Sequence, residues 1–213
     1  MKRFRLVTLD LDGTLLPRDM AFAAILRGNG HEALADEASR KFADGTWDLP
    51  TCYARQWAVV QTLSLADMHR ALRKANWLPG IADGVARLQA EGARVCILTD
   101  VASTVTDFLG RWGLTDAICS PVTVKDGKQV ALDQRLDKLA NLKGRLAEWG
   151  LGLDEVCHVG NGENDVPVFD AVGGSVAVFA DPKVAQHGKH TLASPREFGT
   201  IVDAVMQLDL SKT

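Results

Sequence analysis

Short apolar runs punctuate the chain at wide intervals, and stretches with helical periodicity fill the space between them. The first run is Phe4 to Leu9, closed by Asp10, and others lie at Arg94–Leu98, Ala117–Cys119, Glu155–Val159 and Ser175–Phe179. Unbroken apolar runs of this length suit strands covered on both faces, as in a parallel sheet. Ile81, Val85 and Leu88 share one face of a helix that Pro79 can open. Leu139, Leu142, Leu146 and Trp149 share another, with Gly150 as its stop. Strands alternating with helices predict an α/β fold, a three-layer Rossmann-like parallel sheet wound by right-handed crossovers.

One region breaks the alternation. Between Arg18 and Trp77 there is no convincing strand, only helical patterns parted by Gly28-Asn29-Gly30, Asp44-Gly45 and Leu49-Pro50. Ser64 and Asp67 read as the reciprocal caps of a helix N-terminus. Sixty helical residues are too many for a crossover. The pattern predicts a core of residues 1–17 and 78–213 with a small helical cap, 18–77, inserted over the sheet's carboxyl edge. Val122–Val124 and Gln129–Ala131, joined around Asp126-Gly127, predict a β-hairpin.

Composition narrows the partners. The 213 residues carry 24 Lys and Arg against 27 Asp and Glu, a net charge of −3. Nucleic acid and anionic membranes demand clustered positive charge, so neither is an expected partner. No segment reaches the ~18 apolar residues of a membrane span. The four cysteines, 44, 23 and 38 residues apart, have no metal-like spacing, and three sit in apolar runs. Reduced thiols and a cytoplasmic location are the expectation; the oligomeric state stays open.

In open α/β sheets ligands bind beyond the carboxyl ends of the strands, so the residues after each run carry the information. The first run leads into Asp10-Leu11-Asp12-Gly13-Thr14. Two carboxylates at i and i+2 at the end of a buried strand are costly unless a cation or proton is shared between them, and Gly13 lets backbone N–H groups approach an anion. Thr99 ends the second run with a hydroxyl for a phosphate oxygen. Lys138 opens a helix against the dipole and so needs another reason to be there; Lys143 competes from deeper in that helix. After Glu155–Val159 come Gly160-Asn161-Gly162-Glu163-Asn164-Asp165, which lack the third glycine of a dinucleotide fingerprint. Asn161 and Asp165 instead offer hard oxygens that, with the paired aspartates, suit Mg²⁺.

This order of motifs resembles the haloacid dehalogenase superfamily of phosphatases, and the helical insertion resembles the cap of its phosphoserine-phosphatase-like branch. The similarity runs along nearly the whole chain, through Ala180-Asp181-Pro182-Lys183-Val184, and the 22 residues from Lys138 to Gly160 favour Lys138 over Lys143. The resemblance implies a phosphomonoester hydrolase acting on a small phosphorylated metabolite. Asp10 would be the nucleophile that forms an aspartyl-phosphate and Asp12 the general acid and base. Thr99 and Lys138 would hold phosphoryl oxygens. Mg²⁺ would sit on Asp10, the Asp12 carbonyl, Asn161 and Asp165. Gly13, Asp19, Arg55 and Asp100 would line the substrate.

Three departures stand out. Asn161 occupies the place of the branch's usual acid, which predicts a weaker metal site. Asp100-Val101 replace the glycines that receive the amino-acid part of phosphoserine. Arg55 falls about one residue from the position of a carboxylate-binding arginine. Trp47, Tyr53 and Trp57 read either as an apolar pocket or as the core of the insertion, and none of the five histidines has ligand spacing. A phosphotransferase or phosphomutase and a non-catalytic binding protein on the same scaffold are the competing readings; a haloalkanoate dehalogenase has no need of Asp12 or Asp165.

Overall fold

A computed structural model describes residues 4–126, 128–135 and 137–210; Gly127 of the predicted hairpin and the outermost residues of the predicted core lie outside them. Six parallel strands form the sheet: β1 (Leu6–Leu9), β2 (Arg94–Ala102), β3 (Asp116–Ser120), β6 (Val156–Gly160), β7 (Gly174–Val178) and β8 (His190–Leu192), in the order β3-β2-β1-β6-β7-β8. Between the third and sixth, β4 (Val122–Lys125) and β5 (Lys128–Leu132) pair as the expected antiparallel hairpin.

Alternation of side chains across the strands sorts the sheet into two apolar faces. Val7, Leu9, Val95, Ile97, Val159 and Val176 pack with α5 (Ile81–Ala90) and α10 (Phe198–Leu210). Leu6, Cys96, Leu98, Ile118 and Val156 pack on the other side under α7 (Lys138–Trp149) and the end of α8 (Val166–Ala171). This is the three-layer arrangement that the apolar runs predict. The sequence pattern missed β8 and α10, and it stopped β2 at Leu98, whereas the strand continues to Ala102 with a register shift against β3. The short α6 (Ser103–Thr106) and α9 (Pro182–Ala185) lead from β2 and β7.

Four helices follow β1: α1 (Ala21–Arg27), α2 (Glu32–Ala43), α3 (Leu49–Val60) and α4 (Leu65–Leu72). Ser64 caps α4 as its sequence predicts, accepting from the Asp67 N–H while its hydroxyl meets the Asp67 carboxylate. The insertion leaves and rejoins the core at one neck, where the Leu78 N–H donates to the Leu15 carbonyl at 2.9 Å. The hairpin ties the two parts together through Gln129, which is buried, accepts from Thr104 Oγ1 at 2.7 Å and donates to the Val60 carbonyl at 3.4 Å. Phe22 packs edge-on to Tyr53 and near Trp57, so those two aromatics do belong to the insertion's core. All four cysteines are free, three of them buried. No described helix is long and apolar enough to cross a membrane.

Gly173 is where β7 is set against the turn that precedes β6. A Cβ there would lie 2.0 Å from the Asp154 carbonyl oxygen, and backbone cannot give way as a side chain can. Gly173→Ala is expected to lower stability by about 3 kcal/mol, the upper range for overpacking, read as a fall in the thermal midpoint with the far-ultraviolet spectrum unchanged.

Candidate active site

The carboxyl ends of β1, β2 and β6 converge on one buried cluster. β1 lies between the other two, with Leu9 opposite Ile97 on one side and Val159 on the other. The Asp10 N–H extends this pairing by donating to the Val159 carbonyl at 2.8 Å. Asp10 and Thr99 are each 4 % exposed, so the site is closed over. Gly13, in the left-handed region at φ 77°, turns the chain back so that its N–H reaches the Leu16 and Asp19 carbonyls. A Cβ at Gly13 would stand 2.2 Å from the Asn161 amide nitrogen, so glycine is what lets the β1 and β6 loops touch.

Lys138 is the centre of the cluster. Its ammonium donates to Asp10 Oδ1 at 2.6 Å and to Asp165 Oδ1 at 2.7 Å, with all three side chains buried. Burial alone would lower the lysine; the carboxylates of Asp10, Asp165 and Asp100 outweigh it and hold it well above its ordinary range. Lys143, the competing lysine, lies on an exposed part of the same helix.

Asp165 is filled on every side. Besides the lysine, Oδ1 meets His158 Nε2 at 3.0 Å, and Oδ2 accepts from the N–H groups of Asn161 and Gly162 at 2.9 and 3.0 Å. Burial raises such a group, but Lys138 and His158 prevail and hold it well below the carboxylate range. The expected metal oxygen of Asp165 is therefore a carboxylate with four donors already on it, placed to fix the lysine and the β6 loop. His158 closes the chain of contacts. Its Nδ1 lies 2.9 Å from Thr8 Oγ1, its partner in the β1–β6 register. Burial lowers its pKa, and a neutral ring next to a carboxylate carries its proton on Nε2. Thr8 and His158 had no sequence signal beyond being polar inside strands.

Asp12 is held from the insertion. Its Oδ1 accepts from the Ala21 N–H that opens α1 at 2.7 Å, and its Oδ2 from the Tyr53 hydroxyl at 2.9 Å. Burial, opposed by these two donors, pushes the carboxyl up to about 6. Tyr53 is thus a site residue as well as a core aromatic. Asp100, after Thr99, is buried, and its Oδ2 accepts from the Asn164 amide at 2.7 Å; desolvation raises it.

Two expected substrate residues are engaged elsewhere. Asp19 accepts both of its contacts with Arg27 Nη1, at 2.8 and 3.0 Å. Arg55 is exposed, with its guanidinium 5.7 Å from the centre of the Trp47 ring, about 200° around α3 from Tyr53.

A metal is tested by the oxygens near Asn161. Its Oδ1 lies 2.8 Å from the Asp12 carbonyl oxygen, 3.1 Å from Asp10 Oδ2 and 3.2 Å from Thr14 Oγ1. Neighbouring corners of an octahedron with bonds of ~2.1 Å are about 3.0 Å apart, so this spacing fits a hard divalent cation among the oxygens. With the amide turned by 180°, its NH₂ donates to the same three oxygens instead. Among the described residues no three His, Cys, Asp or Glu side chains gather into a metal-holding group; the cradle mixes one carboxylate, one carbonyl and one amide. Burial also drives Asp10 up despite Lys138, with Asp165 and Asp12 adding to the push, so a further cation is what would keep it ionised.

The family of haloacid dehalogenase-like hydrolases matches residues 7–170. The chain belongs to that family. It is 23% identical over 189 residues to a phosphoserine phosphatase of Methanocaldococcus jannaschii, covering 85% of this chain and 88% of the relative. A phosphoserine phosphatase of Halobacterium salinarum is 28% identical over 221 residues, with 93% and 97% covered. The solved structure of a substrate-bound phosphoserine phosphatase complex superimposes with a TM-score of 0.79 at 18% identity, over 96% of this chain and 99% of that one. A phospho-aspartyl intermediate analogue of phosphoserine phosphatase gives 0.78 at 19% identity, over 95% and 99%. The resemblance inferred from the motif order therefore holds at the level of the haloacid dehalogenase-like hydrolases, and the relatives and structures that the chain matches are phosphoserine phosphatases.

Lys138→Met removes the ammonium that faces Asp10 and Asp165. It is expected to destabilise the protein by about 3–5 kcal/mol, the cost of stranding buried charge. Denaturant unfolding should show the loss shrinking as pH falls and Asp10 takes up a proton; a pH-independent loss would contradict this account.

Proposed function

We propose that the protein is a Mg²⁺-dependent phosphomonoester hydrolase that forms an aspartyl-phosphate on Asp10, with residues 18–77 as a cap that closes over a small phosphorylated metabolite. The observation that carries this reading is the division of labour between the two aspartates. Asp10 is fixed by Lys138 in the core, while Asp12, two residues on, is fixed by two donors of the insertion.

In the first step an Asp10 oxygen attacks phosphorus and the bond to the alcohol oxygen breaks, with the Asp12 proton passing to that oxygen. In the second, Asp12 takes a proton from water, whose oxygen attacks phosphorus and frees Asp10. Lys138 and Thr99 bind phosphoryl oxygens as charge shifts onto them. Asp10 Oδ2, the Asp12 carbonyl and Asn161 Oδ1 would hold the metal, which supplies positive charge opposite the phosphoryl oxygens. Asp165 acts behind Lys138 as a positioning residue. Neither Asp19, paired with Arg27, nor Arg55, stacked on Trp47, is free to recognise phosphoserine in this closed arrangement.

p-Nitrophenyl phosphate should be hydrolysed with Mg²⁺ and not without it, and Asp10→Asn should abolish turnover. Turnover that persists in Asp10→Asn would overturn the mechanism. With an alkyl phosphate, kcat/KM should fall as pH rises through about 6, because the proton on Asp12 is then lost to solvent. The nitrophenolate leaves without that proton, so its profile should lack this limb.

Asn161→Asp sharpens the metal assignment. The variant should bind Mg²⁺ about tenfold more tightly in a calorimetric titration, since a carboxylate replaces an amide. Without metal it should melt below the wild type, having exchanged an inward NH₂ for a repelling charge. Equal metal affinity in the two proteins would remove Asn161 from the ligand set.

A further inference from the structure

Two buried side-chain oxygens among the described residues have no hydrogen-bond partner: Asp100 Oδ1 and Gln56 Oε1. Both are acceptors on side chains almost wholly inaccessible, at 3 % and 0 % exposure. Leaving such an atom unpaired costs about 1–3 kcal/mol, and more where it is charged, so two in one molecule call for a reason. Their positions supply it. Asp100 stands on the core side, next to Thr99, with Oδ2 tied to Asn164 and Oδ1 free. The Asn164 amide that holds it belongs to the β6 loop next to Asp165, so Asp100 stands at the same edge of the sheet as the cluster. Gln56 stands on the cap side, one helical turn beyond Tyr53, on the buried face of α3 whose Tyr53 reaches Asp12. Its amide nitrogen has turned to Cys52 Sγ at 3.6 Å, leaving the oxygen unanswered.

We propose that these two oxygens form the subsite for the leaving alcohol, and that this alcohol is a cationic hydrogen-bond donor, an amino alcohol without a carboxylate. The proposal rests on the phosphomonoesterase reading above and names its substrate class. Asp100 Oδ1 takes the ammonium, and Gln56 Oε1 takes a second N–H or an O–H. An amine also offsets a site in which Asp10, Asp12, Asp100 and Asp165 share the single ammonium of Lys138. A leaving group that carries a carboxylate would meet Asp100 as a like charge, with Arg55 turned away on Trp47.

The test compares three esters on the same Mg²⁺-loaded protein: 2-aminoethyl phosphate, propyl phosphate as its isostere without donors, and O-phosphoserine. Sites built around a substrate donor reject the analogue lacking it by large factors, so 2-aminoethyl phosphate should exceed propyl phosphate in kcat/KM by at least about 10²-fold. It should also exceed O-phosphoserine. Asp100→Asn should reduce the first ratio at least about tenfold, and Gln56→Met several-fold. The same order should appear in binding to Asp10→Asn protein, measured by calorimetry, which needs no turnover. A wild-type ratio near one, or O-phosphoserine as the preferred ester, overturns the inference even if Asp100→Asn fails to fold. Absence of Asp10-dependent p-nitrophenyl phosphate hydrolysis would refute the enzymatic reading separately, since the binding order is measured apart from it.

Discussion

The arrangement depends on one ammonium group held between two buried carboxylates. Lys138 could not stay charged in that position without Asp10 and Asp165, nor could both acids stay there without it. Everything that brings the three together is therefore under strict demand. α7 must start where it does, which Leu142 and Leu146 enforce by packing on the Leu6, Cys96 and Leu98 face. The β6 loop must turn its N–H groups onto Asp165. Thr8 must support His158 across the strand pairing so that the ring backs the same carboxylate. A buried ion pair is a weak source of stability, but breaking it is expensive, and this is how one interaction fixes three loops.

The insertion enters the chemistry through Asp12 rather than as a passive lid. Its first helix and Tyr53 supply both donors to that carboxylate, so in the proposed mechanism the proton donor would be oriented only when the helices lie against the core. On the proposed reading, opening them would free the route to Asp10 and at the same time release Asp12. Chemistry and closure would then be coupled by two hydrogen bonds, with Gln129 of the hairpin joining Thr104 to Val60 from the side.

The sheet and its catalytic edge were legible because strands buried on both faces must be continuously apolar, so the acid, hydroxyl and amide groups that follow them stand out. Lys138 stood out for a different reason, its conflict with the helix dipole, and was preferred to Lys143 only through the spacing to Gly160 that the resemblance implies. His158 and Thr8 were not, since a polar residue inside a strand carries meaning only once the register pairs it with another. Asp19 read as free because nothing in the sequence brings Arg27 back to it. The arginine sought near Arg55 illustrates the helix period: one residue along, Gln56 is the side chain that faces inward. Tyr53 resisted a single assignment because its ring packs on Phe22 while its hydroxyl serves Asp12.

The two departures from the family pattern also belong together. Asn161 removes one negative charge from the oxygens around the metal position, and Asp100 adds one beside Thr99, where the branch has glycine. The formal charge of the cluster is unchanged, but its centre moves from the cation's end of the site toward the end where the alcohol leaves. On the proposed reading, a site so altered would hold its metal less firmly and its leaving group more selectively. The amide at 161 is tolerable because its NH₂ can satisfy the Asp10 and Asp12 oxygens when no cation does. The acid at 100 has no such internal partner for Oδ1, and on the proposed reading the burden of answering it would fall on the substrate.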